Sequence, residues 1–440
     1  MIKIGRKIKN VIERDRRIIF TTTREEYPLV PDRTDGEIIY DIEGNKFVDF
    51  TSFISVYSFG TEGINIARRA VHKQVDKLMH AAFTDFYSPL PVSAAEKLVS
   101  LLPHGFGRVF FSNSGTEANE DAIKLARLFT KRQYILGFYN SFHGRSTGPL
   151  GITSSKVAQR HGFGPFPNVI HAVYPYTYRC AFNSKSPEEC ADNCLRFIEE
   201  FIFRKIAAPD EIAAILFEPI QGEGGYIVPP KEFITGLRKL ASDNGIVLIA
   251  DEVQSGVMRA GKFVALDNFG VAADIYTFAK AIGAGLPLGA TVAKRSFGDT
   301  PVGSHAGTFG GNLAAVAASN ALLDYIKANR LRLESMAKKK GSMLMKRLKE
   351  MESGYEIVGE ARGMGMMLAI EIVKEKGSKK PAPKERNEIL NECFTNGLVL
   401  LPAGESSIRI IPAITMSEEN LEKGMEILEG AVKKEAAKAR

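Results

Sequence analysis

The sequence has no tryptophan and only four cysteines in 440 residues. No indole therefore contributes to a core or a site. Apolar runs end after about six residues, far short of the ~20 needed to cross a bilayer. The first residues are charged and lack the apolar core of a secretory signal. A soluble, cytoplasmic protein with no membrane partner is the expectation. Charge of one sign is not in large excess either. The net +7 comes from 58 basic and 51 acidic residues. The surplus lies in separate runs, Lys3–Lys9, Lys338–Lys340, Lys374–Arg386 and Lys433–Arg440. Such runs read as solvated faces, not as the basic stripe of a nucleic-acid binder. Cys180, Cys190 and Cys194 fall within fifteen residues, with Cys393 far away. Their spacing is not that of paired zinc knuckles. A single disulfide, a partial metal site and free thiols in a surface insertion all remain open, and a cytosolic setting favours the thiols. No metal is assigned.

The remaining composition is that of an ordinary globular chain, 45% apolar and 25% charged. The length calls for a large domain and a smaller one. Residues 1–36 form a charged amphipathic opening with Ile8, Val11, Ile12 and Ile18 among basic residues. Residues 37–50 alternate apolar and polar about Gly44-Asn45 and predict a β-hairpin. A loop over 51–63 leads to helices at about 64–80 and 93–102. From Gly107 onward short apolar strands alternate with helices. The strands are expected at 108–112, 134–138, 213–217, 246–250, 275–278 and 290–293, with helices after Thr116 and over 231–244. This pattern predicts an α/β fold with a mainly parallel sheet covered on both faces. One or two long helices over 313–351 lead to an α+β part. It has strands at 366–373, 397–401 and 407–411, helices at about 384–396 and 417–436, and a polar loop at 374–383. The expected division is 1–63, an N-terminal segment contributing to the small domain; 64–330, the large domain; and 331–440, the C-terminal small domain.

Polar motifs stand where the expected strands stop, and ligands of open α/β sheets gather at the carboxyl ends of strands. Lys280 follows the apolar run Ile275–Ala279, and four glycines or prolines crowd the next nine residues. An ammonium at a buried strand end is costly to desolvate, which lowers its pKa and frees a nucleophilic amine. A solvated lysine at a strand end is the plainer reading. Ser114-Gly-Thr116 is either a phosphate cradle at a helix start or an ordinary N-cap. Phe142-His-Gly-Arg145 offers a ring to lie on a cofactor and a guanidinium for a carboxylate, or else an exposed turn. Glu218-Pro-Ile-Gln-Gly-Glu-Gly-Gly225 places two acids in a loop whose glycines permit close approach, or is a solvated acidic loop. Asp251-Glu-Val-Gln254 ends an apolar strand. A buried aspartate there needs a cationic partner, and a protonated pyridine nitrogen is one. A helix N-cap is the alternative.

Taken in order, these motifs, with Ala279-Lys-Ala-Ile-Gly-Ala-Gly-Leu-Pro-Leu-Gly-Ala290 and His305-Ala-Gly-Thr-Phe-Gly-Gly-Asn312, resemble the class III (ornithine/4-aminobutyrate type) pyridoxal-phosphate-dependent aminotransferases from about residue 37 to 430. The resemblance implies the type I PLP-enzyme fold, a homodimer or higher oligomer, and pyridoxal 5'-phosphate as cofactor. By motif, Lys280 is the Schiff-base lysine and Asp251 the partner of the pyridine nitrogen. Gln254 contacts the ring hydroxyl, Val253 and Phe142 sandwich the ring, and Gly115 and Thr116 hold the phosphate. Thr308 reaches the phosphate bound in the partner subunit, so the active site crosses the interface. On the substrate side, Arg409 in Ser407-Ile-Arg-Ile-Ile-Pro412 binds an α-carboxylate. Glu223 neutralises that arginine when an ω-amino substrate is present. Arg145 takes the distal carboxylate of 4-aminobutyrate or the α-carboxylate of an ornithine-like substrate. Ile54 lines the substrate pocket.

The chain departs from that family in three places. Phe59-Gly-Thr-Glu-Gly-Ile64 replaces a common Gly-His-x-His-Pro run, Phe53 stands where glycine is usual, and the cysteine-bearing segment at about 174–200 is an insertion. The activity implied is transfer of an amino group from an ω-amino acid to a 2-oxo acid, 2-oxoglutarate. An amino-acid racemase or epimerase on the same fold would use nearly the same residues and differs only in where Lys280 returns the proton. A non-enzymatic binding protein would leave the lysine, aspartate and cradle without purpose.

Overall fold

The computed structural model describes residues 2, 4–20, 27–166 and 168–438. Seven short segments pair into a central sheet in the order Phe106–Ser112, Gly289–Lys294, Ile275–Phe278, Val247–Asp251, Ile212–Phe217, Tyr134–Phe138 and Val169–Ala172. The last five run parallel, and the first two are antiparallel to their neighbours. All six residues of Ile212–Phe217 are buried, as expected of a strand covered on both faces. Alternation divides the side chains. Ala214, Leu216 and Ile249 pack with Ala122, Ile123 and Ala126 of the helix Gly115–Thr130. Ile215, Phe217, Leu248 and Ala250 pack with Phe233, Ile234 and Leu237 of the helix Lys231–Asp243. A sheet with one such helix layer on each face is the expected α/β arrangement.

Two four-stranded sheets complete the fold. Pro31–Thr34, the predicted hairpin Ile38–Asp41 and Lys46–Asp49, and Leu398–Val399 form one. Val358–Met364, Met367–Ile372, Ser407–Ile410 and Leu401–Ala403 form the other, antiparallel throughout. The expected strand at 397–401 is thus two strands in different sheets, parted at Leu400. Val169–Ala172 and Val358–Met364 were not expected. The first is four residues long, and the second has its alternation broken by Gly359 and Gly363. The helices expected at 64–80 and 93–102 begin and end earlier, at Gly60–Val75 and Pro89–Ser100. The second starts on Pro89, whose missing N–H costs nothing in a first turn. The region 313–351 is one helix, Leu313–Gly354, interrupted in its backbone angles at Asn329.

Within the amphipathic opening, the helix Arg6–Ile18 buries Ile8 and leaves Ile18 exposed. Residues 1, 3 and 21–26 of that opening, and 439–440 of the basic tail, lie outside the described residues. Among the described residues no helix is long and apolar enough to cross a membrane, and no group of three or more His, Cys, Asp or Glu is placed to hold a metal ion.

Candidate active site

The parallel strands deliver their carboxyl ends to one cavity of about 520 Å³. Phe142 arrives from the loop after Tyr134–Phe138, Glu218 follows Ile212–Phe217, Asp251 ends Val247–Asp251, and Lys280 stands two residues beyond Ile275–Phe278. Lys280 has φ +47, a left-handed backbone that a side-chain-bearing residue adopts at a cost of the order of 1–3 kcal/mol. Burial lowers its pKa from the ordinary lysine value, although the charges of Asp251, Glu223 and Glu218 pull it back up. The amine therefore loses its proton more readily than a surface lysine does.

Asp251 lies on the floor and is 4% exposed. Its Oδ2 accepts from Asn119 Nδ2 at 2.8 Å and is 2.8 Å from His143 Nδ1, and its Oδ1 accepts the Val253 amide at 3.0 Å. The last contact is the cap-like turn that the sequence allowed. Asn119 is fixed in turn, donating to the His143 carbonyl at 2.8 Å and accepting from Thr277 Oγ1 at 2.7 Å. Every oxygen of the carboxylate is held, so Asp251 has one position. The second buried ring nitrogen, His143 Nε2, has no hydrogen-bond partner among the described residues. Glu218 binds two amides, Phe142 N at 3.0 Å and Gly222 N at 3.1 Å. Burial pushes its carboxyl above the ordinary carboxylate range, against the pull of His143 and with the push of Asp251.

The phosphate-cradle candidates sit at the start of the 16-residue helix Gly115–Thr130. Ser114 does cap it, accepting the Glu117 amide at 3.3 Å, and the capped helix start lines the cavity. Thr116 Oγ1 accepts the amides of Arg145 and Ser146, both at 3.2 Å, and lies 2.6 Å from Ser146 Oγ. A Cβ on Gly115 would stand 2.8 Å from Val253 Cγ1, so only glycine leaves this wall open. Phe142 and Val253 both line the cavity, as does Gln254, whose Oε1 accepts from Tyr226 OH at 2.7 Å. A helix N-terminus, an apolar slot, an anchored buried acid and an amine of lowered pKa are the donor set that pyridoxal phosphate requires, and a cavity wall kept clear at Gly115 gives it room.

The substrate-side residues are disposed differently. Arg409 Nη1 lies 2.9 Å from Glu223 Oε1, with only 6% and 18% of the two side chains exposed. Burial alone would raise the Glu223 pKa, but Arg409 and Lys156 outweigh it and the carboxyl is held below its ordinary value. Lys156 Nζ is 3.9 Å from the other Glu223 oxygen. The Glu223 loop is tied down by Gly404 N to Glu223 O at 2.7 Å and by Arg362, which donates to Gly225 O at 2.6 and 2.9 Å. Arg145 is exposed, its guanidinium 5.5 Å from the Phe142 ring centre. Ile54 belongs to a left-handed turn, Ser52–Ser55, with φ of 39, 47, 61 and 64°. It is Val56 that lines the cavity, while Ile54 is 37% exposed. Thr308 is exposed and does not line its own chain's cavity. Its neighbours Phe309 and Asn312 border an adjoining recess of about 390 Å³ together with Leu286 and Pro287.

Four contributors escaped the sequence reading. Asn119 is a polar residue on the buried stripe of an amphipathic helix, a visible signal. His143 lies inside a quoted motif without a role. Lys156 is an ordinary lysine in sequence. Arg259, fully buried, donates to Ser52 Oγ and Ser58 Oγ, each at 3.0 Å, and so holds the left-handed turn from beneath.

The sequence profile of the family described as Aminotransferase class-III matches residues 19–432. An alanine/serine racemase of Pyrococcus horikoshii is 35% identical over 98% of this chain and 91% of its own. A probable 4-aminobutyrate aminotransferase of Bacillus subtilis is 33% identical over 91% of this chain and 92% of its own. Among solved structures, a taurine:2-oxoglutarate aminotransferase of Bifidobacterium kashiwanohense, in complex with PLP and glutamate, superposes with a TM-score of 0.91 at 27% identity and full coverage of both chains. With a buried lysine and aspartate at one cavity and the family profile matching nearly the whole chain, this chain belongs to the class-III aminotransferases, a family of pyridoxal-phosphate-dependent enzymes.

Proposed function

We propose that the protein transfers the amino group of an ω-amino acid, such as 4-aminobutyrate or ornithine, to a 2-oxo acid, with 2-oxoglutarate as acceptor. The observation that carries this reading is the Arg409–Glu223 pair. An arginine meant only for α-carboxylates needs no resident carboxylate. A paired one presents no net charge to an ω-amino end, and becomes a carboxylate site once Glu223 withdraws.

Bound in this cavity, pyridoxal phosphate supplies an aldehyde carbon for the amine and a ring that draws off an electron pair. The chain's residues do the rest. The amides at Gly115 and Thr116 would hold the phosphate, aided by the Thr116 hydroxyl and the helix dipole. Thr308 of a second copy completes that contact in a homodimer. Val253 and Phe142 would hold the ring between them, and Gln254 would contact its hydroxyl. Asp251, held by His143 and Asn119, would be the carboxylate that pairs with the ring nitrogen. Lys280 Nζ would hold the cofactor and, with substrate bound, would take a proton from the substrate carbon as general base and return it as general acid. Arg409 binds the α-carboxylate of 2-oxoglutarate, and Arg145 the distal carboxylate. Ile54 and its turn bound the substrate side. With the chain divided into 1–63, 64–330 and 331–440, this chemistry would fall to the large domain and Arg409 to the small one.

A screen of amino donors with 2-oxoglutarate, reading glutamate formed, tests the proposal. The expected result is glutamate from ω-amino donors and little from alanine. The likeness to an alanine/serine racemase supports a second reading, in which Lys280 returns the proton to the α-carbon. Inversion of a single enantiomer without any 2-oxo acid, with no glutamate formed when one is added, would replace the first reading by the second.

A further inference from the structure

The cysteine-bearing segment has no part in the chemistry above, yet it brings three thiols together. Cys190 and Cys194 are buried, four residues apart on one face of the helix Pro187–Arg196. Cys180 follows the turn Thr177–Arg179 and is only partly buried. The Cys180 thiol lies within interaction range of that of Cys190, and Cys190 of Cys194. Ser184 completes the junction, accepting from Cys180 Sγ at 3.3 Å and from Asn193 Nδ2, on the same helix, at 3.0 Å. We infer that Cys180 and Cys190 form a dithiol site that a hydroperoxide oxidises to a disulfide.

The roles follow from position. Cys180 is the accessible thiol. The neighbouring Cys190 thiol and Ser184 hold its pKa below the ordinary thiol value in spite of burial, which favours the reactive thiolate. Cys190 is buried directly behind it, where burial pushes its pKa up, so it waits as the resolving thiol. In the first step the Cys180 sulfur attacks a peroxide oxygen. An S–O bond forms, the O–O bond breaks, and the leaving oxygen departs as water or alcohol with a proton from solvent. In the second, Cys190 sulfur attacks the sulfenic sulfur, the S–S bond forms, the S–O bond breaks, and water leaves with the Cys190 proton. The two thiols lose two electrons and the peroxide gains them. Neighbouring thiols must still come to bonding distance, and the exposed run 181–183 gives the freedom for that movement.

The bond would act on a strap between the two parts of the fold. Just before Cys180, Tyr176 OH donates to Glu371 Oε2 at 3.2 Å, and Arg179 donates to Glu371 Oε1 at 2.6 Å and to Lys379 O at 2.8 Å. Downstream, the helix carrying Cys190 packs on Lys231–Asp243, where a Cβ on Gly236 would stand 2.3 Å from Leu195. Oxidation would join the end of the strap to that helix and close the exposed loop between.

Tryptic digestion reads the bond directly. Cleavage after Arg179, Lys185 and Arg196 puts Cys180 in one peptide and Cys190 with Cys194 in the next. The reduced holoenzyme is treated with hydrogen peroxide, alkylated and digested without reductant. The expected product is the two peptides linked through Cys190, lighter than their sum by two hydrogens, with Cys194 and Cys393 alkylated. Cys180→Ser should abolish the link, and Cys194→Ser should retain it. The oxidised protein should melt above the reduced one, and the difference should vanish in Cys180→Ser. Survival of all four thiols, a stable sulfenic acid at Cys180 without a link, or a link through Cys194 or Cys393 would overturn the assignment. These readouts do not depend on the amino donor, so their outcome is separable from that of the donor screen.

Discussion

The proposed cofactor and substrate residues form two groups built on different principles. The cofactor half stands on strand ends and on the first turn of a long helix, and its polar atoms are bound to one another. Asp251 alone takes three contacts, from Asn119, His143 and the Val253 amide. The substrate-side group leans on loops: a left-handed turn at Ser52–Ser55, an exposed Arg145, and the loop residue Glu223, flanked by Lys156 and paired with Arg409 of the strand Ser407–Ile410. A site on sheet and helix ends is positioned by the core, whereas a site on loops is free to differ between relatives. Chemistry should therefore fail when the first half is changed, and preference should shift when the second is.

The largest effect is expected at Lys280. Lys280→Ala should lower turnover by about 10⁴-fold or more, since loss of a general base alone costs about 10²–10⁴-fold and covalent anchorage is lost with it. The visible absorbance of the anchored cofactor should disappear together with activity. An active, yellow variant would break the comparison at its root. In the wild-type apoprotein the rate of covalent attachment of added pyridoxal phosphate should rise with pH, because the neutral amine is the nucleophile. Its midpoint should lie below the ordinary lysine value of 10.5, in keeping with the lowering by burial.

Asn119→Ala comes next. It removes a donor to a buried carboxylate, which costs about 1–3 kcal/mol. Cofactor affinity and kcat should fall about tenfold or more for every donor and acceptor alike. If instead one substrate suffered and another did not, the separation into halves would be wrong, because Asn119 touches only the cofactor side.

The same contrast explains what the sequence made legible. Strand and helix periodicity gave the sheet through its fully apolar runs, such as Ile212–Phe217, and the motifs at their ends named Lys280, Asp251, Gly115, Thr116, Phe142, Val253 and Gln254, all at the cavity wall. Strands too short or too glycine-rich to alternate, Val169–Ala172 and Val358–Met364, escaped. On the substrate side the Glu223–Arg409 pairing was legible as a motif pair, but Ile54 was not placed by it. Four successive residues with positive φ are not a pattern that propensity anticipates, since Phe and Ile disfavour that region. Arg259, which supports the turn from below, is 201 residues from Ser58 in the chain, and no local pattern links the two.

Glu223→Gln should split the substrates. Without the negative charge, Arg409 stays cationic when the ω-amino end enters, so kcat/KM for 4-aminobutyrate should fall about tenfold, an energy of about 1.4 kcal/mol. The half-reaction with 2-oxoglutarate should change much less, since that carboxylate wants Arg409 unpaired. Equal losses in both half-reactions would show that Glu223 is merely structural.

Lys156→Met is the finest probe. Lys156 is 42% exposed and 3.9 Å from Glu223, so water screens it and its pairing is worth about 0–1 kcal/mol. Its value lies in direction. Glu223 sits between two cations, Arg409 on one side and Lys156 on the other. When Arg409 takes a substrate carboxylate, Lys156 is the cation left to receive Glu223. Removing it should leave Glu223 more tightly committed to Arg409, and so raise KM for 2-oxoglutarate about two- to fivefold with kcat little changed. The KM for an ω-amino donor should hold steady or fall. Lys156→Arg should restore the wild-type ratio. A kcat loss shared by both substrates would instead place Lys156 with the cofactor half, and the boundary between chemistry and preference would then have to be redrawn through the Glu223 loop itself.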